Sequence, residues 1–131
     1  MIAIADTNFL IKYFSSKIEP PNNSVKVFED SNTFLIVPSI VLVELKYIAA
    51  KGRISSSILD KTYNLLKAGN CMLYPLDLKL IDFIPTELNI HDGIIFATAY
   101  VIRSNFEEDV YILTKDREMK NLKQDKVKVI W

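Results

Sequence analysis

The stretch IAIADTNFLIKYF, residues 2–14, decides how the rest of the chain is read. Its opening IAIA is an uninterrupted apolar run of strand length, the pattern of a strand covered on both faces. The run stops at Asp6, and Phe9, Leu10, Tyr13 and Phe14 then recur at helical spacing. The same grammar repeats along the sequence. TFLIV at 33–37, stopped by Pro38, CMLYPL at 71–76 and DVYILT at 109–114 read as further strands, and KVKVIW at 126–131 as an alternating terminal one.

Helical signals lie between them. Ser24 is placed to cap a short helix through Asp30, after a Ser15–Asn23 loop containing Pro20 and Pro21. Ser39 is placed to cap IVLVELKYIAAK, with Gly52 at the position after its end. Ser55 or Ser56 begins an amphipathic helix closed by Gly69, and DLKLIDFI gives a short helix stopped before Pro85. His91–Arg103 has the apolar density of a buried helix, and DREMKNL gives one or two turns. Strands alternating with helices predict an α/β fold, a three-layer α/β/α sandwich with a mainly parallel central sheet. In such sheets function collects at the carboxyl ends of the strands, where strand order reverses.

Composition narrows the function classes. At 131 residues, half of them hydrophobic, the chain predicts a single folded domain over residues 1–131. Sixteen basic and sixteen acidic residues give zero formal charge, so a nucleic acid must be held by a local patch or through metal ions. One cysteine, Cys71, and one histidine, His91, exclude disulfide frameworks, cysteine zinc cages and multi-histidine metal sites. Three separated glycines exclude glycine-rich nucleotide loops. No leader or membrane-length apolar run is present, which predicts a cytoplasmic protein with no membrane partner.

Four acids fall in telling places. Asp6 ends the first strand, Asp116 follows the fourth, Asp92 opens a helix, and Glu44 sits mid-helix among apolar residues. Each has a structural reading when taken alone. Asp6 and Asp92 are good capping residues, Asp116 suits a turn, and Glu44 can snorkel or pair with a lysine. As a set they point at one crevice, where four carboxylates cannot all ionise unaided. Hard divalent cations, Mg2+ or Mn2+, relieve that repulsion and take substrate phosphate oxygens into their shells.

At this point the sequence resembles a known family, the PIN domains, and within them the small VapC-like toxin ribonucleases. The matching pieces are IADTNFLI at 4–11, PSIVLVELKYI at 38–48, IHDGIIFATAY at 90–100 and YILTKDREM at 111–119. The resemblance implies a PIN-like fold and a Mg2+- or Mn2+-dependent endoribonuclease acting on an RNA substrate. It also implies a homodimer and a small antitoxin partner. It assigns Asp6, Glu44, Asp92 and Asp116 to the acidic metal site, with Asn8, Thr114 and Thr7 orienting carboxylates or waters. Glu118 stands where many relatives carry a further aspartate, and reads as solvent-facing or as a supporting group. Gly93 replaces a commoner alanine or larger residue, explained equally by access to the site or by packing.

His91 reads as a side chain of the capping region, or else as a donor to the acids or a substrate contact. Lys12, Lys46, Lys115 and Arg117, with Arg53, form a candidate basic rim for RNA phosphates. Tyr13, Phe14 and Tyr47 suit packing better than base stacking. Two other readings stand beside the toxin ribonuclease. One is a non-catalytic or RNA-processing PIN domain that binds RNA or protein. The other is a phospho-acceptor signalling domain, disfavoured because the first strand ends in a single acid.

Overall fold

A computed structural model describes residues 1–15, 22–122 and 126–131. Most of the Ser15–Asn23 loop lies outside the described residues. The strands are β1 (Ile2–Ala5), β2 (Phe34–Pro38), β3 (Cys71–Tyr74), β4 (Val110–Leu113) and β5 (Val127–Ile130). The helices are α1 (Thr7–Phe14), α2 (Asn22–Glu29), α3 (Ser39–Ala50), α4 (Ser56–Leu66), α5 (Leu78–Ile81), α6 (Ile90–Asn105) and α7 (Arg117–Asn121). All five strands pair in parallel, in the order β3-β2-β1-β4-β5. This is the expected α/β class, with a sheet parallel throughout its described pairs.

The apolar runs explain the order. All of β1 is buried, and β4 and β2 nearly so, because helices cover both faces of the three central strands. The edge strands β3 and β5 are half exposed. Helices α1, α3 and α4 pack on one another while the chain builds β1, β2 and β3. The chain then reverses direction across the sheet, and α6, packed on β2, β4 and β5, precedes β4, which lies beside β1. Ten residues of α6 are buried, from Asp92 to Ile102, with Ala97 and Ala99 fully so. No described helix is long and apolar enough to cross a membrane.

Several boundaries differ from expectation. Pro38 is the last residue of β2, paired in register with Tyr74, where the missing N–H is tolerated at a strand end. It also occupies the cap position of α3 without a side-chain hydrogen bond, so Ser39 is the first helical residue rather than the cap. Ser24 lies inside the first turn of α2, which begins at Asn22. Gly69 does not close α4. That helix ends at Leu66, with Lys67 as its cap in right-handed geometry. Gly52 does sit in the left-handed region, φ 70°, and its N–H reaches Ala49 O at 3.0 Å while that of Arg53 reaches Ile48 O at 3.1 Å. Those two bonds make the Schellman ending that glycine permits.

Candidate active site at the strand-order reversal

The reversal falls between β1 and β4. Their register pairs Ile4 with Ile112 and Ala5 with Leu113, which sets Asp6 beside Thr114 one residue further on. Thr114 Oγ donates to Asp6 Oδ2 at 2.6 Å, and the Thr7 N–H donates to Asp6 Oδ1 at 2.7 Å. Asp6 is thus both the cap of α1 and a buried carboxylate, 3% exposed, whose oxygens are already oriented. Asp116 has the same double character. It caps α7 by accepting the Met119 N–H at 3.0 Å.

Asp92 is not the cap of its helix. Asn89 is: its Oδ1 accepts the Asp92 N–H at 2.9 Å, and its Nδ2 donates back to Asp92 Oδ2 at 2.7 Å. The reciprocal pair resembles a capping box, with the acid at the third helical position. It fixes Asp92, 6% exposed, on the cavity wall beside Asp116. Burial, hydrogen bonding to Asp116 and the Asp116 charge push Asp92 up to about 6. Burial works against the Asp116 charge too. The proton on Asp92 and the N–H groups of Met119 and Glu118 outweigh it and hold Asp116 below the usual carboxylate range.

Glu44 reaches the same cavity from α3, and its partner is His91. His91 Nδ1 donates to Glu44 Oε2 at 2.6 Å, while Nε2 lies 3.2 Å from Asp6 Oδ1. Burial raises the Glu44 carboxyl; His91 opposes that shift and Asp6 adds to it. Burial alone would lower the His91 ring, but the bond to Asp6 and the charge of Glu44 reverse it to a net rise. His91 therefore does more than fill a capping region. It ties two of the acids together across 85 residues of sequence, and Asn89 orients a third. Sequence reading gave His91 as a donor to the acids only as an alternative to a capping role, and it missed Asn89. The one available signal was position: the sole histidine sits in a helical first turn, adjacent to an acid.

Asp6, Glu44, Asp92 and Asp116 line one open cavity of about 250 Å³, with Asn8 and Thr114 also on its wall. His91 and Lys115 complete the lining. Thr7 is buried, its hydroxyl 3.4 Å from His91 Nε2. The Glu118 side chain is exposed and off the wall, and Lys46 and Arg117 are likewise exposed outside it. Asp77 caps α5 and takes no part in the cavity, so no acid at the end of β3 serves a phospho-acceptor arrangement.

Among the described residues, no three of the acidic, histidine or cysteine groups form a ready-made metal cage. The cavity instead offers oxygen donors as two linked sets, Asp92 with Asp116 and Asp6 with Glu44 through His91. That donor set fits a hard divalent cation that keeps part of its water shell. The raised Asp92 carboxyl beside Asp116 and Asp6 reflects crowded negative charge.

Gly93 has a packing role. A Cβ there would stand 3.0 Å from Ile84 Cγ2 and 3.3 Å from the Pro85 carbonyl oxygen. The glycine lets the first turn of α6 press onto residues 84–85 and so sets the depth of Asp92. Gly93→Val should cost about 1–3 kcal/mol by overpacking. Chemical denaturation checks this, and an unchanged midpoint would show that the 84–85 segment yields freely.

No protein-family model matches this sequence, and no curated protein does. Solved structures that share its fold include two toxin–antitoxin complexes. One is VapBC2 from Rickettsia felis bound to a promoter DNA fragment, with TM-score 0.68 and 18% identity, covering 99% of this chain and 98% of that one. The other is FitAcB from Neisseria gonorrhoeae, with TM-score 0.56 and 20% identity, covering 91% and 90%. At these identities the likeness speaks for the fold, and it agrees with the PIN-like architecture expected from the sequence.

Proposed function

We propose that this protein is a divalent-metal-dependent endoribonuclease, the toxin of a two-component toxin–antitoxin pair acting in the cytoplasm. The observation that carries the reading is the convergence of Asp6, Glu44, Asp92 and Asp116 on one cavity at the reversal of strand order. Asp6, Asp92 and Asp116 would hold Mg2+ or Mn2+, with Glu44 completing the acidic set. When bound, the ion supplies positive charge to the scissile phosphate and makes a water easier to deprotonate.

The chain's own groups do the rest. Thr114 and the Thr7 N–H keep the Asp6 oxygens aimed into the cavity, and Asn89 does the same for Asp92. Glu44, with its raised proton affinity and its position fixed by His91, accepts the proton of the attacking water. In-line attack at phosphorus breaks the P–O3′ bond, and the leaving oxygen takes a proton from solvent, giving a 5′-phosphate and a 3′-hydroxyl.

The antitoxin partner is supported by the fold shared with VapBC2 and FitAcB. A homodimer is supported by exposed apolar side chains such as Val43, Tyr47, Leu78 and Ile90, which a second copy would cover. The test of the activity is cleavage of total RNA with Mg2+ or Mn2+ and mapping of the new ends. Cleavage should be lost in EDTA, restored on adding back the ion, and absent in Asp6→Asn. Robust cleavage by purified Asp6→Asn would refute the assignment.

A further inference from the structure

Two lysines and the sole tryptophan meet beside the acidic cavity. Lys12 lies on α1, Lys115 lies between β4 and α7 on the cavity wall, and Trp131 follows β5. Both ammonium groups stand over the same indole, Lys12 Nζ at 4.9 Å and Lys115 Nζ at 5.6 Å from the ring centroid. The indole is braced edge-on by the fully buried Phe9, with ring centroids 6.2 Å apart. Cation–π attraction thus holds two like charges on one rigid ring.

The pair is not electrically satisfied. Among the described residues neither ammonium has a carboxylate within ion-pair distance. The contact with Lys115, then burial and the Lys115 charge, hold Lys12 below the usual lysine range. An anion between the two groups would relieve that repulsion. The surroundings favour a phosphate of a longer polyanion. The chain has zero formal charge and so no general attraction for nucleic acid, and the four neighbouring carboxylates repel one. A local cation pair on the rim offsets both effects.

We propose that Lys12, Lys115 and Trp131 form a phosphate-binding subsite for single-stranded nucleic acid. The two ammonium groups clamp one backbone phosphate next to the cavity, and the indole holds them in position. The subsite deepens the nuclease reading and rests on it only for the identity of the reacting phosphate next door.

The test uses Asp92→Asn protein in EDTA, titrated with a short single-stranded oligoribonucleotide of mixed sequence. Trp131 is the only tryptophan, so intrinsic fluorescence reads the subsite directly. Binding should change its emission. Lys12→Gln and Lys115→Gln, each on that background, should weaken binding about tenfold. Each should also flatten the slope of log affinity against log salt by about 0.7, the value for one phosphate contact to a single strand. Lys51→Gln, an exposed lysine on the far end of α3, should change neither. Absence of binding, an unresponsive Trp131, or an unchanged salt slope in both lysine variants would each overturn the subsite. Failure of the nuclease reading shows elsewhere, as wild-type protein that does not cleave RNA with either ion while lysine-dependent binding persists.

Discussion

Asp92→Asn is expected to cost about a thousandfold in RNA cleavage and, in the same protein without divalent ions, to raise the melting temperature at pH 8. The two effects have one cause. Asp92 is nearly buried, faces Asp116, and is pushed up to about 6. Above that pH the folded protein holds two facing carboxylates that repel each other. Asparagine removes one charge and keeps the bonds: its carbonyl accepts from Asn89 Nδ2 as Asp92 does, and its amide donates to Asp116. The variant is therefore better satisfied as a fold and worse as an ion site. Cleavage rates and thermal melts on one preparation check both halves. Wild-type cleavage would remove Asp92 from the chemistry, and a lower melting temperature at pH 8 would show that the Asp92–Asp116 contact is not strained.

The strands were legible because parallel strands buried on both faces must be apolar at consecutive positions. IAIA, FLIV and VYIL can hardly be anything else once Asp6, Pro38 and Thr114 mark their ends. The placing of Asp6 and Asp116 depended on β1 and β4 being neighbours, as they are, since both acids lie at the carboxyl ends of those strands. Helix boundaries were less legible. Proline at a strand end and a helix ending without a left-handed glycine are both permitted by local sterics, and the sequence alone does not choose between them. This is how Pro38, Ser39 and Gly69 were misread.

Least legible were the bonds that finish the cavity. His91 meets Asp6 across 85 residues and Thr114 meets Asp6 across 108. Periodicity tells which face a side chain takes and says nothing of the partner it finds there. A histidine in a first turn has the same local pattern whether it faces water or bridges two acids.

That bridging has a consequence for the metal-free protein: its stability should fall as pH rises from about 4 to about 8, and Mg2+ or Mn2+ should largely remove the fall. Asp92 in the folded state holds its proton to about 6, against about 4 in the unfolded chain. Its stabilising contribution is complete below the unfolded value and is lost as pH passes the folded one. Glu44 and His91 are also raised, so their contributions run in the same direction, with His91 extending the window above its usual 6.5. Asp116 runs oppositely. Its lowered carboxyl favours folding above the unfolded value and loses that contribution as pH falls. Since Asp92 and Asp116 interact directly, they titrate as a pair, and the raised member sets the behaviour above pH 4.

After discounting for solvent at the open cavity, the net loss should be on the order of 1–2 kcal/mol, or roughly 5 °C in melting temperature. A divalent ion occupying the cavity takes over the role of the lost protons, so its stabilising effect should be small at pH 5 and large at pH 8. Melting curves across that range, with EDTA and with each ion, read the linkage directly. Equal shifts at both pH values would mean that the ion binds somewhere other than among these acids.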